Sequence, residues 1–146
     1  MLRFLAVSVT LIMSAIQLYA QESTWSRIQG KILNNNCIIY HYAGSSFARQ
    51  SGLVLTQDVA YENLVDVEPR NRSAAEDSLL RVSSEGGIMG LGFSFLWDKI
   101  NAPDQLHLFN DHPNYGAIMP LGLSYLTNSE LSFIRTWIEA GEPVIL

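Results

Sequence analysis

Cysteine is nearly absent: the chain of 146 residues has one, Cys37. A lone cysteine excludes an internal disulfide and leaves a free thiol, an intermolecular bridge or a covalent attachment point. Basic charge is also scarce, with 9 Lys and Arg against 14 Asp and Glu and a formal net charge of -5. That balance argues against nucleic acid as a partner, since binding it selects for basic surfaces. An acidic surface suits a basic partner instead. Internal repeats, low-complexity tracts and strand-rich stretches are missing as well. The length suits one domain, and 48% hydrophobic residues are enough for a packed core rather than a disordered chain.

Long hydrophobic runs are confined to the start. Arg3 is followed by the uncharged, mostly apolar stretch Phe4 to Leu18, then Ala20 and the polar Gln21-Glu22-Ser23. A membrane-spanning helix usually needs about 20 apolar residues, so the run reads as a secretory signal over 1–20, with a mature domain over 21–146 and a periplasmic or secreted destination. Leu18 departs from the small-residue cleavage pattern, which leaves an uncleaved anchor as the alternative. Export takes the chain to an oxidising compartment.

Along the mature chain the patterning is helical. Trp25, Ile28, Ile32 and Leu33 share one face behind the capping candidates Ser23 and Thr24. Asn34-Asn35-Asn36 mark the end of that helix or a turn. The small, polar residues 43–52 predict a loop. Thr56 is placed to cap a short helix bearing Val59, Leu64 and Val65, and Pro69 breaks the pattern. Glu85-Gly86-Gly87 and Gly90-Leu91-Gly92 predict a further loop. Phe93, Leu96, Trp97 and Ile100 predict one helix face, and residues 101–120, with Pro103, Pro113 and Gly116, a long loop of functional length. The last helix has the clearest signal. Thr127 and Glu130 make a capping box, Leu131, Ile134, Trp137 and Ile138 share a face, and Gly141 with Pro143 ends it. The three tryptophans fit apolar helix faces. Gly30 is either a close-crossing point for the last helix or a tolerated defect.

Chemistry concentrates at Cys37-Ile38-Ile39-Tyr40-His41, one residue away from C-x-x-C-H, in which two thiols add across haem vinyl groups and the histidine ligates the iron. Met119, in Ala117-Ile118-Met119-Pro120-Leu121-Gly122, has the soft thioether that can serve as a second axial ligand. Each residue also has a plainer role: Cys37 as a small buried hydrophobe, His41 as a hydrogen-bonded residue, Met119 as core filler. Met89 is the other methionine of the mature chain. His107 and His112, in the loop before Met119, read as solvated histidines, or as a sixth ligand should Met119 not serve.

Further segments occur in a recognisable order: Gly52-Leu53-Val54-Leu55; Ser94-Phe95-Leu96-Trp97-Asp98-Lys99-Ile100; Met119-Pro120-Leu121-Gly122 with Leu126-Thr127-Asn128-Ser129-Glu130; and Trp137-Ile138-Glu139-Ala140-Gly141. Over residues 25–143 the chain resembles the small cytochrome c-like domains common in planctomycetes and related bacteria. The resemblance implies a mainly α, cytochrome c-like helical domain with long haem-wrapping loops. It further implies an exported monohaem electron-transfer protein rather than an enzyme, working with an unidentified redox partner. Tyr40 departs from the family motif, so the residues allow one thioether, through Cys37. The expected cofactor is then a c-type haem with His41 proximal and Met119 distal, a non-covalent b-type haem being the lesser alternative. Two other functions compete: a degenerate domain without haem acting as a binding or structural module, and a Cys37–His41 thiol enzyme, for which the sequence offers neither orienting acid nor oxyanion site.

Overall fold

A computed structural model describes residues 22–141; the expected leader over 1–20 and Pro143 lie outside them. The chain is mainly helical, and among the described residues there is no strand, only the isolated parallel bridges Val65↔Val82 and Leu80↔Ser94. No helix among the described residues is long and apolar enough to cross a membrane.

Helix α1 occupies residues 24–36. It begins as Thr24–Arg27, widens into a π-helical turn at Ile28–Leu33, and ends as Asn34–Asn36. The Ser23 hydroxyl caps it by accepting from the Ser26 amide at 3.1 Å. The three asparagines form its last turn. Asn35 and Asn36 donate back to the carbonyls of Lys31 and Ile32, so their side chains satisfy groups that a helix end leaves bare. Trp25, Ile28, Ile32 and Leu33 are buried as the spacing requires. Gly30 is exposed, with nothing within 4 Å of where a Cβ would stand. It is no crossing point, because it faces away from the core.

The last helix, α8 (Asn128–Glu139), starts on the expected capping box. Thr127 Oγ1 accepts from the Glu130 amide, and the Glu130 carboxylate accepts from the Thr127 amide at 2.8 Å. Leu131, Ile134, Trp137 and Ile138 are all buried. Trp137 packs on Trp25 with ring centroids 5.3 Å apart, and Tyr61 meets Trp25 edge-on at 5.1 Å. Truncating such a buried tryptophan costs about 3–5 kcal/mol, so this cluster ties the two chain-distant helices together. The close backbone approach lies elsewhere, where a Cβ on Gly86 (φ +73°) would stand 3.3 Å from the Gly141 nitrogen.

Between these helices the structure is more regular than the sequence pattern implies. The expected loop at 43–52 contains α2 (Ser46–Ser51), capped by Ser45 and closed by Gly52 at φ +66°. Helix α3 (Ala60–Leu64) has no side-chain cap; Thr56 contributes its carbonyl to the preceding turn instead of its hydroxyl. Helix α4 (Arg72–Glu76) is capped by Asn71. The glycine-rich segment, expected as loop, is α5 (Gly87–Gly92). It is held from outside: Ser94 Oγ donates to the Gly90 carbonyl at 2.7 Å, and Gly90 lies against the Ser83 carbonyl. Helix α6 (Phe95–Ile100) follows. The expected long loop 101–120 instead contains a 3₁₀ turn (Ala102–Asp104), helix α7 (Gln105–Asp111) and a second 3₁₀ turn (Pro113–Tyr115). These are folded because Ala102, Leu108, Tyr115 and Ile118 form a second apolar cluster with Ala74 and Leu79. Phe93 joins that cluster with Phe95, while Leu96 and Trp97 pack on the main core, so the expected single face of α6 divides between the two.

Candidate cofactor-binding cavity

The two apolar clusters do not close completely against each other. Between them lies a cavity of about 140 Å³, walled by Leu55, Leu64 and Ile100 from the main core and by Phe95 from the second. Cys37, Tyr40, His41 and Met119 also line it. The three residues marked by the sequence thus line one cavity, although Met119 is distant from the others along the chain.

Cys37 follows the last turn of α1, its amide donating to the Leu33 carbonyl at 2.9 Å. The chain then turns tightly: the amides of Tyr40 and His41 both donate to the Cys37 carbonyl at 3.1 Å. Cysteine and histidine therefore sit on a compact turn rather than on a helix face. Burial, with the charge of Glu130, pushes the Cys37 thiol up to about 12. It remains protonated at neutral pH and is a poor nucleophile.

His41 is fixed at two points. Its carbonyl accepts from the Leu55 amide at 2.7 Å, and its ring Nδ1 lies 3.2 Å from the Leu53 carbonyl. A carbonyl only accepts, so Nδ1 carries the hydrogen. Burial lowers the His41 pKa, the Leu53 bond opposes that effect, and the charge of Arg81 adds to it. The ring is then neutral with its lone pair on Nε2, the state a metal ligand needs, oriented by an outer hydrogen bond.

Met119 is held by a residue that spacing alone did not single out. Its amide donates to the Lys99 carbonyl at 2.6 Å, and the Lys99 ammonium donates to the carbonyls of Tyr115, at 2.9 Å, and Ala117. One lysine thus secures the segment on both sides of Ile118. The Met119–Pro120 peptide bond is cis. Lys99 stands in the Ser94–Ile100 segment that carries part of the family likeness, which was the available signal for it.

The remaining candidates lie away from the cavity. Met89 is exposed on α5. His107 pairs with Asp111 at 2.7 Å, and His112 stacks on Tyr115 at 4.4 Å between centroids. Neither histidine lines the cavity. Among the described residues no group of three or more His, Cys, Asp or Glu side chains is placed to hold a metal ion.

A cavity of 140 Å³ is about the size that takes a benzene ring, too small alone for a tetrapyrrole. A second compartment of about 360 Å³ lies beside it, and His41, Arg81, Lys99 and Met119 line both. The donor set consists of a neutral imidazole and a thioether at apolar walls, a thiol on the same turn, and cations toward the outer compartment. It fits the chemistry of a haem, which offers iron to the donors, vinyl groups to a thiol and carboxylates to cations. Comparison of the chain with protein-family models, with curated proteins and with solved structures finds no match.

Proposed function

We propose that this chain is an exported electron-transfer protein of the cytochrome c-like kind, binding one haem with His41 and Met119 as axial ligands and Cys37 as a single thioether anchor. One observation carries the reading: Cys37, His41 and Met119, chosen for haem chemistry, line the same apolar cavity. The haem, when bound, supplies a one-electron iron couple. The chain's own residues do the rest. His41 offers Nε2 because Leu53 engages Nδ1. Met119 offers a soft sulfur that favours reduced iron and so raises the potential. The apolar lining, Leu53, Leu55 and Leu64 among it, would disfavour water and added charge beside a bound haem. Tyr40 has no thiol to offer, and its ring packs edge-on against Phe47 at 5.1 Å.

The test is the absorption spectrum of the protein made in a host with c-type haem maturation. A Soret band with sharp reduced α and β bands is the expected result. Folded but colourless protein would overturn the proposal and favour the module without haem.

A further inference from the structure

The compartment beside the cavity concentrates positive charge, and no acidic side chain lines it. Arg70, Arg81 and Lys99 all line it. The ion pairs among the described residues join Arg27 to Glu22, Arg72 to Glu76, His107 to Asp111 and Arg135 to Glu139; none involves these three cations.

Arg81 is the strongest indication. It is only 8% exposed, and arginine is seldom so buried unless paired. Nη1 donates to the Asn63 carbonyl at 2.7 Å, and Nη2 to the Ser51 carbonyl at 3.3 Å. A guanidinium has five N–H donors, so most of its capacity is uncommitted. Burial lowers the Arg81 pKa, and the charge of Arg70 adds to that effect.

Arg70 is held in place rather than free in solvent. Its Nη1 donates to the Arg49 carbonyl at 3.0 Å. Its guanidinium lies over Gly52, where a Cβ would collide with Nε. Gly52 therefore provides room for the arginine as well as the left-handed turn that ends α2. Lys99 commits two of its three donors to Tyr115 and Ala117. The remaining lining includes Phe47, Leu53, Phe95 and Met119, which are apolar.

We propose that Arg70, Arg81 and Lys99 form a binding site for carboxylate groups carried on an apolar body. The guanidinium fork matches a carboxylate in a plane, and the apolar lining favours an organic acid over a bare inorganic anion. Two sources offer this chemistry: the propionate arms of a haem bound as proposed above, which rests on that proposal, or a free small carboxylate, which does not.

The experiment titrates the full chain, produced without haem maturation, with adipate by calorimetry, using the neutral diamide adipamide and inorganic phosphate as comparators. Saturable adipate binding is expected, with no adipamide binding and weaker phosphate binding. Arg81→Gln should weaken adipate about tenfold, the loss of one charge-assisted interaction, and Arg81→Lys should restore part of it. Arg70→Gln, at an exposed position, should weaken it about threefold and keeps the test readable if Arg81→Gln fails to fold. The same titration on haem-loaded chain separates the sources: lost adipate binding assigns the site to the haem's own carboxylates, retained binding to a free one, and either upholds the site. A chain that takes up no haem still answers the haem-free titration, so the two proposals fail separately. Absence of saturable binding, equal binding of adipamide or phosphate, or an unchanged affinity in Arg70→Gln would overturn the site.

Discussion

Lys99 binds the Met119 segment from two directions, accepting from the Met119 amide at 2.6 Å while its ammonium reaches the carbonyls of Tyr115 and Ala117. The lysine is a positioning residue for the thioether. Lys99→Leu keeps apolar bulk at the position and removes the ammonium. Amide exchange at Met119 should then quicken by about a hundredfold or more, since the segment loses two charge-assisted bonds worth about 1.5–3 kcal/mol each. In haem-loaded protein the methionine ligation band should weaken in parallel. Unchanged exchange at Met119 would show that Pro120 and Ile118 hold the segment without the lysine.

Met119 itself is expected to be the sixth ligand. Met119→Ala should abolish the weak charge-transfer band typical of a His/Met centre in the oxidised state and lower the reduction potential. His112→Ala and His107→Ala should leave the spectrum as it was, because His112 is engaged with Tyr115 and His107 with Asp111. The reverse pattern would transfer the ligand role to one of the histidines.

A single thioether leaves one haem vinyl group unreacted. The pyridine haemochrome of the haem-loaded protein should therefore fall between the b-type and ordinary c-type positions, and denaturing mass spectrometry should show intact chain carrying one haem. Cys37→Ala should release the haem, and Tyr40→Cys should move the band to the ordinary c-type position. Haem extracted from the unmutated protein by acidic organic solvent would rule out the covalent bond and leave a b-type centre.

Asp98 gives the fold a pH dependence. Burial raises its pKa from 3.8 to about 6, with His112, His107 and Lys99 opposing and Asp104 adding to the rise. The folded state holds this proton more tightly than the unfolded state, so stability falls as pH rises from about 4 to about 6 and stays lower above that. Asp98→Asn removes the penalty. After allowance for solvent screening of a partly exposed group, unfolding in denaturant should show a gain of about 1–2 kcal/mol at pH 7.5 and almost none at pH 4. An equal gain at both values would trace the effect to packing.

Legibility in the sequence followed the range of the forces involved. Helix α8 was readable because its start is a local contact between Thr127 and Glu130 and its length allows four apolar residues on one face. Helices α2, α4, α5 and α7 have five to seven residues each, less than two full turns, so periodicity barely develops in them. Their supports are caps and tertiary bonds, such as Ser94 on the Gly90 carbonyl, which no local window contains. The site divides in the same way. Cys37 and His41 were marked by spacing and Met119 by its motif, and all three line the cavity. Arg81 was invisible, since an isolated arginine carries no pattern and its burial arises only when α3 and the end of α2 place their carbonyls around it.

The widened turn at Ile28–Leu33 sets the rotational phase of everything that follows it in α1. A π turn accommodates one residue more than regular α winding, and each residue advances a helix by about 100°. Regular α winding of the same six residues would turn the exit by roughly a quarter of a revolution more, about the 100° of one residue, and direct Cys37 and the histidine turn elsewhere. The bulge therefore acts as an angular spacer between the tryptophan core and the cavity, and its length is constrained by geometry more tightly than by composition.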